Sequence, residues 1–74
     1  MSEIHVLDRT GDTTTSWDPR RPDEVALARE AFDAAKAKKM LIYKANADGT
    51  KGELLREFDP NAEKIVCSPQ NVGG

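Results

Sequence analysis

Residues 22–39 read PDEVALAREAFDAAKAKK, and the periodicity of this stretch decides the fold class. Val25, Ala28, Phe32 and Ala35 recur three or four apart, so on a helix they form one apolar stripe. Arg29, Glu30, Asp33 and Lys36 fall largely off that stripe. Pro22 suits the first helical position, where its missing N–H costs nothing. Asp23 and Glu24 behind it complement the positive end of the helix dipole. The spacing predicts a helix from about Asp23 to Lys39. The basic run Lys36–Lys39 reads as the matching complement at the negative end.

Outward toward the N-terminus, Asp18-Pro19-Arg20-Arg21-Pro22 is a connector, since two prolines exclude a ladder or a helix interior. Before it, Thr13-Thr14-Thr15-Ser16-Trp17 is β-prone. Ile4 and Val6 alternate with Glu3, His5 and Leu7, as a half-buried strand requires. Thr10-Gly11-Asp12 turns the chain between the two, giving an N-terminal β-hairpin. Outward toward the C-terminus, Met40–Ala45 is apolar and β-prone. Asp48-Gly49 is a tight-hairpin signal, and Glu53–Phe58 reads as the returning strand. Asp59-Pro60-Asn61 turns again, and Glu63–Cys67 is the last strand, ended by Pro69.

The expected fold is therefore a small, single α+β domain, β-β-α-β-β-β, with one helix packed on one sheet. Residues 1–68 form the domain and 69–74 a flexible tail. The expected core is Ile4, Val6, Trp17, Val25, Phe32, Leu41, Tyr43, Leu54, Phe58, Ile65 and Val66. The link Asp59–Glu63 is so short that the last strand is expected beside the one before it.

Composition narrows the function. The chain has 74 residues, 38% hydrophobic and 32% charged, with a net charge of −2. A domain this small sits near the lower limit for independent folding and gains from a partner or from self-association. Mixed, slightly acidic charge argues against nucleic acid, which needs a basic face to displace counterions from phosphates. The N-terminus lacks the apolar core of a signal peptide. The clean apolar run Met40–Tyr43 is far too short to cross a membrane. With one cysteine no internal disulfide can form, and a cytoplasmic setting is expected.

Parts for catalysis are missing from the pattern. His5 is the single histidine, and it and Cys67 both fall in strands, with no helix N-terminus beside the thiol to activate it. Cys67 reads as a small buried hydrophobe and His5 as an exposed strand residue. One His and one Cys cannot build a zinc site. Lys44–Glu53 resembles a calcium loop only until it is aligned on Gly49. Lys44 then occupies the first ligand position and Leu55 the twelfth, so a hairpin turn is the better reading. Gly11, Gly49 and Gly52 are too scattered for a phosphate loop. The chain is expected to be no enzyme, with no catalytic residue, metal or cofactor.

The tail carries the functional signal. Ser68-Pro69-Gln70-Asn71-Val72-Gly73-Gly74 extends roughly 20 Å if fully drawn out. A glycine carboxylate is the least hindered acyl group a chain can present to an enzyme channel, because it lacks a side chain. With an Ile-x-Val strand near the start, the Thr10-Gly11 turn, a Thr-rich second strand, a central helix, later strands and Gly73-Gly74, the chain resembles the ubiquitin-like (β-grasp) protein modifiers, in their bacterial form. The resemblance covers most of the length. It implies conjugation through Gly74, with Gly73 keeping the channel clear. The implied partners are an E1-type activating enzyme, an E2-type carrier enzyme, a deconjugating peptidase and target proteins. The competing expectation is a small structural or interaction protein, a phage capsid decoration component or an adaptor, binding through its sheet edge and tail.

Overall fold

The computed structural model describes residues 1–8, 11–46 and 50–69, with Lys51 described by its backbone. β1 (Ser2–Asp8) and β2 (Gly11–Trp17) form the N-terminal hairpin, α1 spans Pro22–Ala37, and β3 (Leu41–Ala45), β4 (Lys51–Leu54) and β5 (Lys64–Ser68) follow. The strands make one mixed five-stranded sheet in the order β2-β1-β5-β3-β4. β5 lies parallel to β1 and antiparallel to β3. One helix on this sheet is a β-grasp-like α+β topology.

The helix starts where its sequence says it should. Pro22 is the first helical residue, after Arg21 in extended conformation. In place of a side-chain cap on the first turn, the Glu24 carboxylate turns back and accepts the Asp18 N–H at 2.9 Å. At the other end the Lys39 N–H donates to Lys36 O at 3.0 Å and the Met40 N–H to Ala35 O at 3.1 Å. That pair of bonds needs a left-handed residue between helix and strand. Lys39 supplies it at φ 58°. The basic run thus does more than face the dipole. Lys36 Nζ donates to Arg56 O at 3.0 Å and Lys38 Nζ meets Asp8 Oδ2 at 3.1 Å, so two of its members tie the helix to neighbouring chain.

The core fills the space between α1 and the sheet. Ile4, Trp17, Ala28, Phe32, Ala35, Ile42, Ala62, Ile65 and Cys67 form one buried cluster, with Val6, Val25, Met40, Leu55 and Phe58 packed against it. Trp17 is the largest member. Its indole N–H donates to Pro60 O at 3.0 Å, so burial leaves no donor unpaired. Phe58 stands between Trp17 (centroids 5.4 Å apart) and Phe32 (5.7 Å), and the Arg29 guanidinium covers its outer side at 5.7 Å.

Three expectations are corrected. The last strand does not lie beside β4: it enters the middle of the sheet, between β1 and β3. The connector can do this because it passes under the sheet's end, with Phe58 and Ala62 in the core. It turns tightly there, with Ala62 N–H to Asp59 O at 3.1 Å. β4 covers Lys51–Leu54 instead of Glu53–Phe58, which frees Leu55 and Phe58 to point into the core. Finally, Leu41, Tyr43, Leu54 and Val66 are not core residues. In β3 and β5 the residues of the core cluster are Ile42, Ile65 and Cys67, so Leu41, Tyr43 and Val66, and Leu54 paired with Tyr43, lie on the opposite face of the sheet.

Candidate functional site

The strand phase that excludes Leu41, Tyr43, Leu54 and Val66 from the core assembles them elsewhere. Cross-strand registers pair Thr14 with His5, His5 with Val66, Val66 with Tyr43, and Tyr43 with Leu54. One row therefore crosses all five strands on the face turned away from α1. Leu41, paired with Ser68, lies one step closer to the tail on the same face. Leu7 sits at the equivalent step on β1. Leu54 is 65% exposed, and Leu7 and Leu41 are each 37% exposed. This face is an apolar band on a five-stranded platform, with His5 and Thr14 at its polar end. The Thr14 hydroxyl lies 3.1 Å from His5 Nδ1, and His5 Nε2 lies 3.3 Å from the Glu3 carboxylate. Sequence reasoning counted the band as core because Met40–Tyr43 is apolar without a break, which hides its phase. Alternation through Lys64-Ile65-Val66-Cys67 was the signal that could have fixed it.

β5 sets where the tail begins. Ile65 and Cys67 are fully buried, and hydrogen-bonded strands flank β5 on both sides. Ser68, opposite Leu41, is the last strand residue, and exposed Pro69 follows. The root of the tail is thus anchored beside the apolar band, at the pole where the helix C-terminus meets β1 through Lys38 and Asp8. Gly73 and Gly74 lie outside the described residues.

The residues weighed for chemistry are kept apart. His5 pairs with Val66 and Cys67 pairs with Val6, so the imidazole and the thiol lie on opposite faces of the sheet. Burial pushes the Cys67 thiol up to about 11 from an ordinary value of 9.0. Neutral thiol in a closed core is the least reactive state of cysteine. Alkylation of the native protein at neutral pH should therefore proceed only through opening of the sheet, far more slowly than in urea, as mass spectrometry of iodoacetamide-treated samples would read. The thiol also sets an alkaline limit. Its folded-state pKa is raised, so its contribution to stability is complete below pH 9.0 and is lost as pH rises through about 11. Urea midpoints should fall over that window, and by less in a Cys67→Ala variant.

Among the described residues no group of three or more His, Cys, Asp or Glu side chains could hold a metal. The would-be calcium loop is a hairpin connection. The Asn46 N–H donates to Thr50 O at 2.9 Å and the Asn46 amide to the Thr50 hydroxyl at 3.0 Å. Residues 47–49, including the Asp48-Gly49 signal, lie outside the described residues, as does Thr10 of the first turn. Among the described residues no helix is long and apolar enough to cross a membrane.

No family model, no curated protein and no solved structure matches the chain. What the geometry offers is a β-grasp-like platform with an apolar band on one face and the root of the tail beside it.

Proposed function

We propose that the chain is a ubiquitin-like protein modifier, conjugated through the carboxyl group of Gly74. The observation that supports this most is the position of β5. The last strand is fixed between β1 and β3, so the segment leading to Gly73-Gly74 starts from a rigid point next to an exposed apolar face. An enzyme can grip that face while threading a segment without side chains at its end into a narrow channel. In the reaction, an E1-type enzyme joins the Gly74 carboxylate to the α-phosphate of ATP and releases pyrophosphate. An enzyme thiolate then displaces AMP to give a thioester, which passes to an E2-type carrier. A target amine displaces that thiol, forming an amide and losing a proton. A peptidase reverses the last bond by hydrolysis.

The test is incubation with ATP and the cognate activating enzyme. A thioester adduct that is cleaved by an added thiol or by hydroxylamine, and survives a non-thiol reductant, is the expected product. Deleting Gly74 should abolish it and leave the circular dichroism spectrum and melting temperature unchanged, because residues 70–74 follow the last strand. If no adduct forms with either protein, and Gly74 deletion leaves partner binding intact, the modifier reading is wrong.

A second reading, an interaction protein of a capsid or an adaptor complex, is favoured by one observation. Leu54 on β4 and the Thr-rich strand β2 put exposed side chains on both outer strands of the sheet. In that case binding should survive deletion of Gly74 and fail when Leu54 is replaced by Glu.

A further inference from the structure

The two outer strands of the sheet are built differently. β4 has four residues and a register shift against β3. Short, irregular strands of this kind resist pairing with another chain. β2 has seven residues, Gly11–Trp17, in unbroken register with β1. From Thr13 to Trp17 it contains no charge, no proline and no glycine. Apart from Asp12 at its start, it carries none of the usual devices that blunt an outer strand.

The free main-chain groups of β2 can be assigned. The Glu3 N–H donates to Glu63 O at 3.0 Å, so Glu3, His5 and Leu7 direct their main-chain groups toward β5. Ser2, Ile4, Val6 and Asp8 therefore direct theirs toward β2, meeting Trp17, Thr15, Thr13 and Gly11. That leaves Asp12, Thr14 and Ser16 with N–H and C=O pointing away from the sheet, and all three residues are exposed.

We infer that β2 pairs with β2 of a second copy, antiparallel about a two-fold axis at Thr14, joining two sheets into one. This register sets no like charges opposite each other and pairs hydroxyl-bearing side chains across the axis. About Thr14, Asp12 faces Ser16 of the other copy, a carboxylate opposite a hydroxyl, and Thr14 faces Thr14. Thr13 faces Thr15 on the helix side. Threonine pairs of this kind stabilise sheets. Centring on Asp12 would set two carboxylates directly opposite each other, which is destabilising. Centring on Ser16 would run the joint off the strand into Pro19.

The helix flank agrees independently. Ala31, Ala34 and Lys38 line a cavity of about 320 Å³ together with Val6, Asp8, Gly11 and Thr13. This flank of α1 therefore overlooks the free edge. Leu27, on the same flank by helical spacing from Ala31 and Ala34, is 59% exposed. A second copy docked on β2 brings the Leu27–Ala31–Ala34 flanks of the two helices toward each other and covers them.

Sedimentation equilibrium over increasing concentration tests the inference. The wild-type protein should dimerise with a Kd between roughly 10 µM and 1 mM, as suits a small joint. Thr14→Lys and Thr14→Glu place like charges across the two-fold axis. Each alone should weaken association roughly fivefold to tenfold, and an equal mixture of the two should associate at least as tightly as wild type. Thr14→Pro removes an outward N–H without touching the ladder to β1, so it should weaken the dimer about tenfold or more. The Lys and Glu variants carry the test if the proline variant is misfolded. Wild-type protein that stays monomeric at roughly millimolar concentration overturns the inference and leaves the edge to an extended segment of another protein. A Lys and Glu mixture that fails to associate overturns it as well.

Discussion

Trp17→Ala should leave little folded protein at 37 °C. The indole is completely buried, packs against Phe58 at 5.4 Å and donates to Pro60 O at 3.0 Å. Truncating a core tryptophan to alanine costs about 3–5 kcal/mol. A chain of 74 residues is worth only about 4–11 kcal/mol in all, at 0.05–0.15 per residue. The loss also spreads beyond the cavity. Pro60 belongs to the connector that delivers β5, and without its indole partner that connector loses its hold on β2. Thermal melting followed by far-UV circular dichroism should show a fall of at least 10 °C, taking about 4–8 °C per kcal/mol for a domain of this size. Trp17→Phe keeps most of the ring packing but orphans the carbonyl, at about 1–3 kcal/mol. A melting temperature for Trp17→Ala within a few degrees of wild type would show that the connector is held by something else.

Gly52→Ala should damage the sheet from its other side. Between the pairs Tyr43–Leu54 and Ala45–Lys51, two residues of β4 stand opposite Lys44 alone, which is a bulge. A Cβ added at Gly52 would overlap the carbonyl oxygen of Lys44. The obstacle is backbone, so no side-chain rotation relieves it, and about 1–3 kcal/mol is the expected cost. β4 should peel from β3 and weaken the Leu55 N–H bond to Ile42 O, now 2.8 Å. Hydrogen exchange should accelerate at the Leu55 amide while amides of the β1–β2 hairpin stay protected. Uniform acceleration across both regions would mean that β4 opens only with the whole domain.

Element order was legible because each element carried its own period. The stripe Val25, Ala28, Phe32, Ala35 became a helix whose buried residues are Ala28, Phe32 and Ala35, and Cys67 is buried as its surroundings implied. Strand adjacency was not legible. A short link favours neighbouring strands, but that rule assumes the link stays outside the core, whereas here Phe58 and Ala62 draw it inward. Nor could an unbroken apolar run show which of Leu41 and Ile42 turns toward the helix. The hidden phase is why the apolar band of the candidate site was counted as interior. The last strand ends at Ser68, before Pro69, and residues 70–74 lie outside the described residues.

The insertion of β5 between its two neighbours has a temporal side. Ile4 and Ile65 share a rung across sixty-one residue positions of chain. On a ribosome adding about 5–20 residues per second, the first hairpin must wait several seconds for the strand that seals it. During that interval β1 displays a vacant flank, and any β-prone segment nearby competes for it. Slow codons between Ala45 and Lys64 should lower the yield of properly folded protein more than the same codons placed within β1.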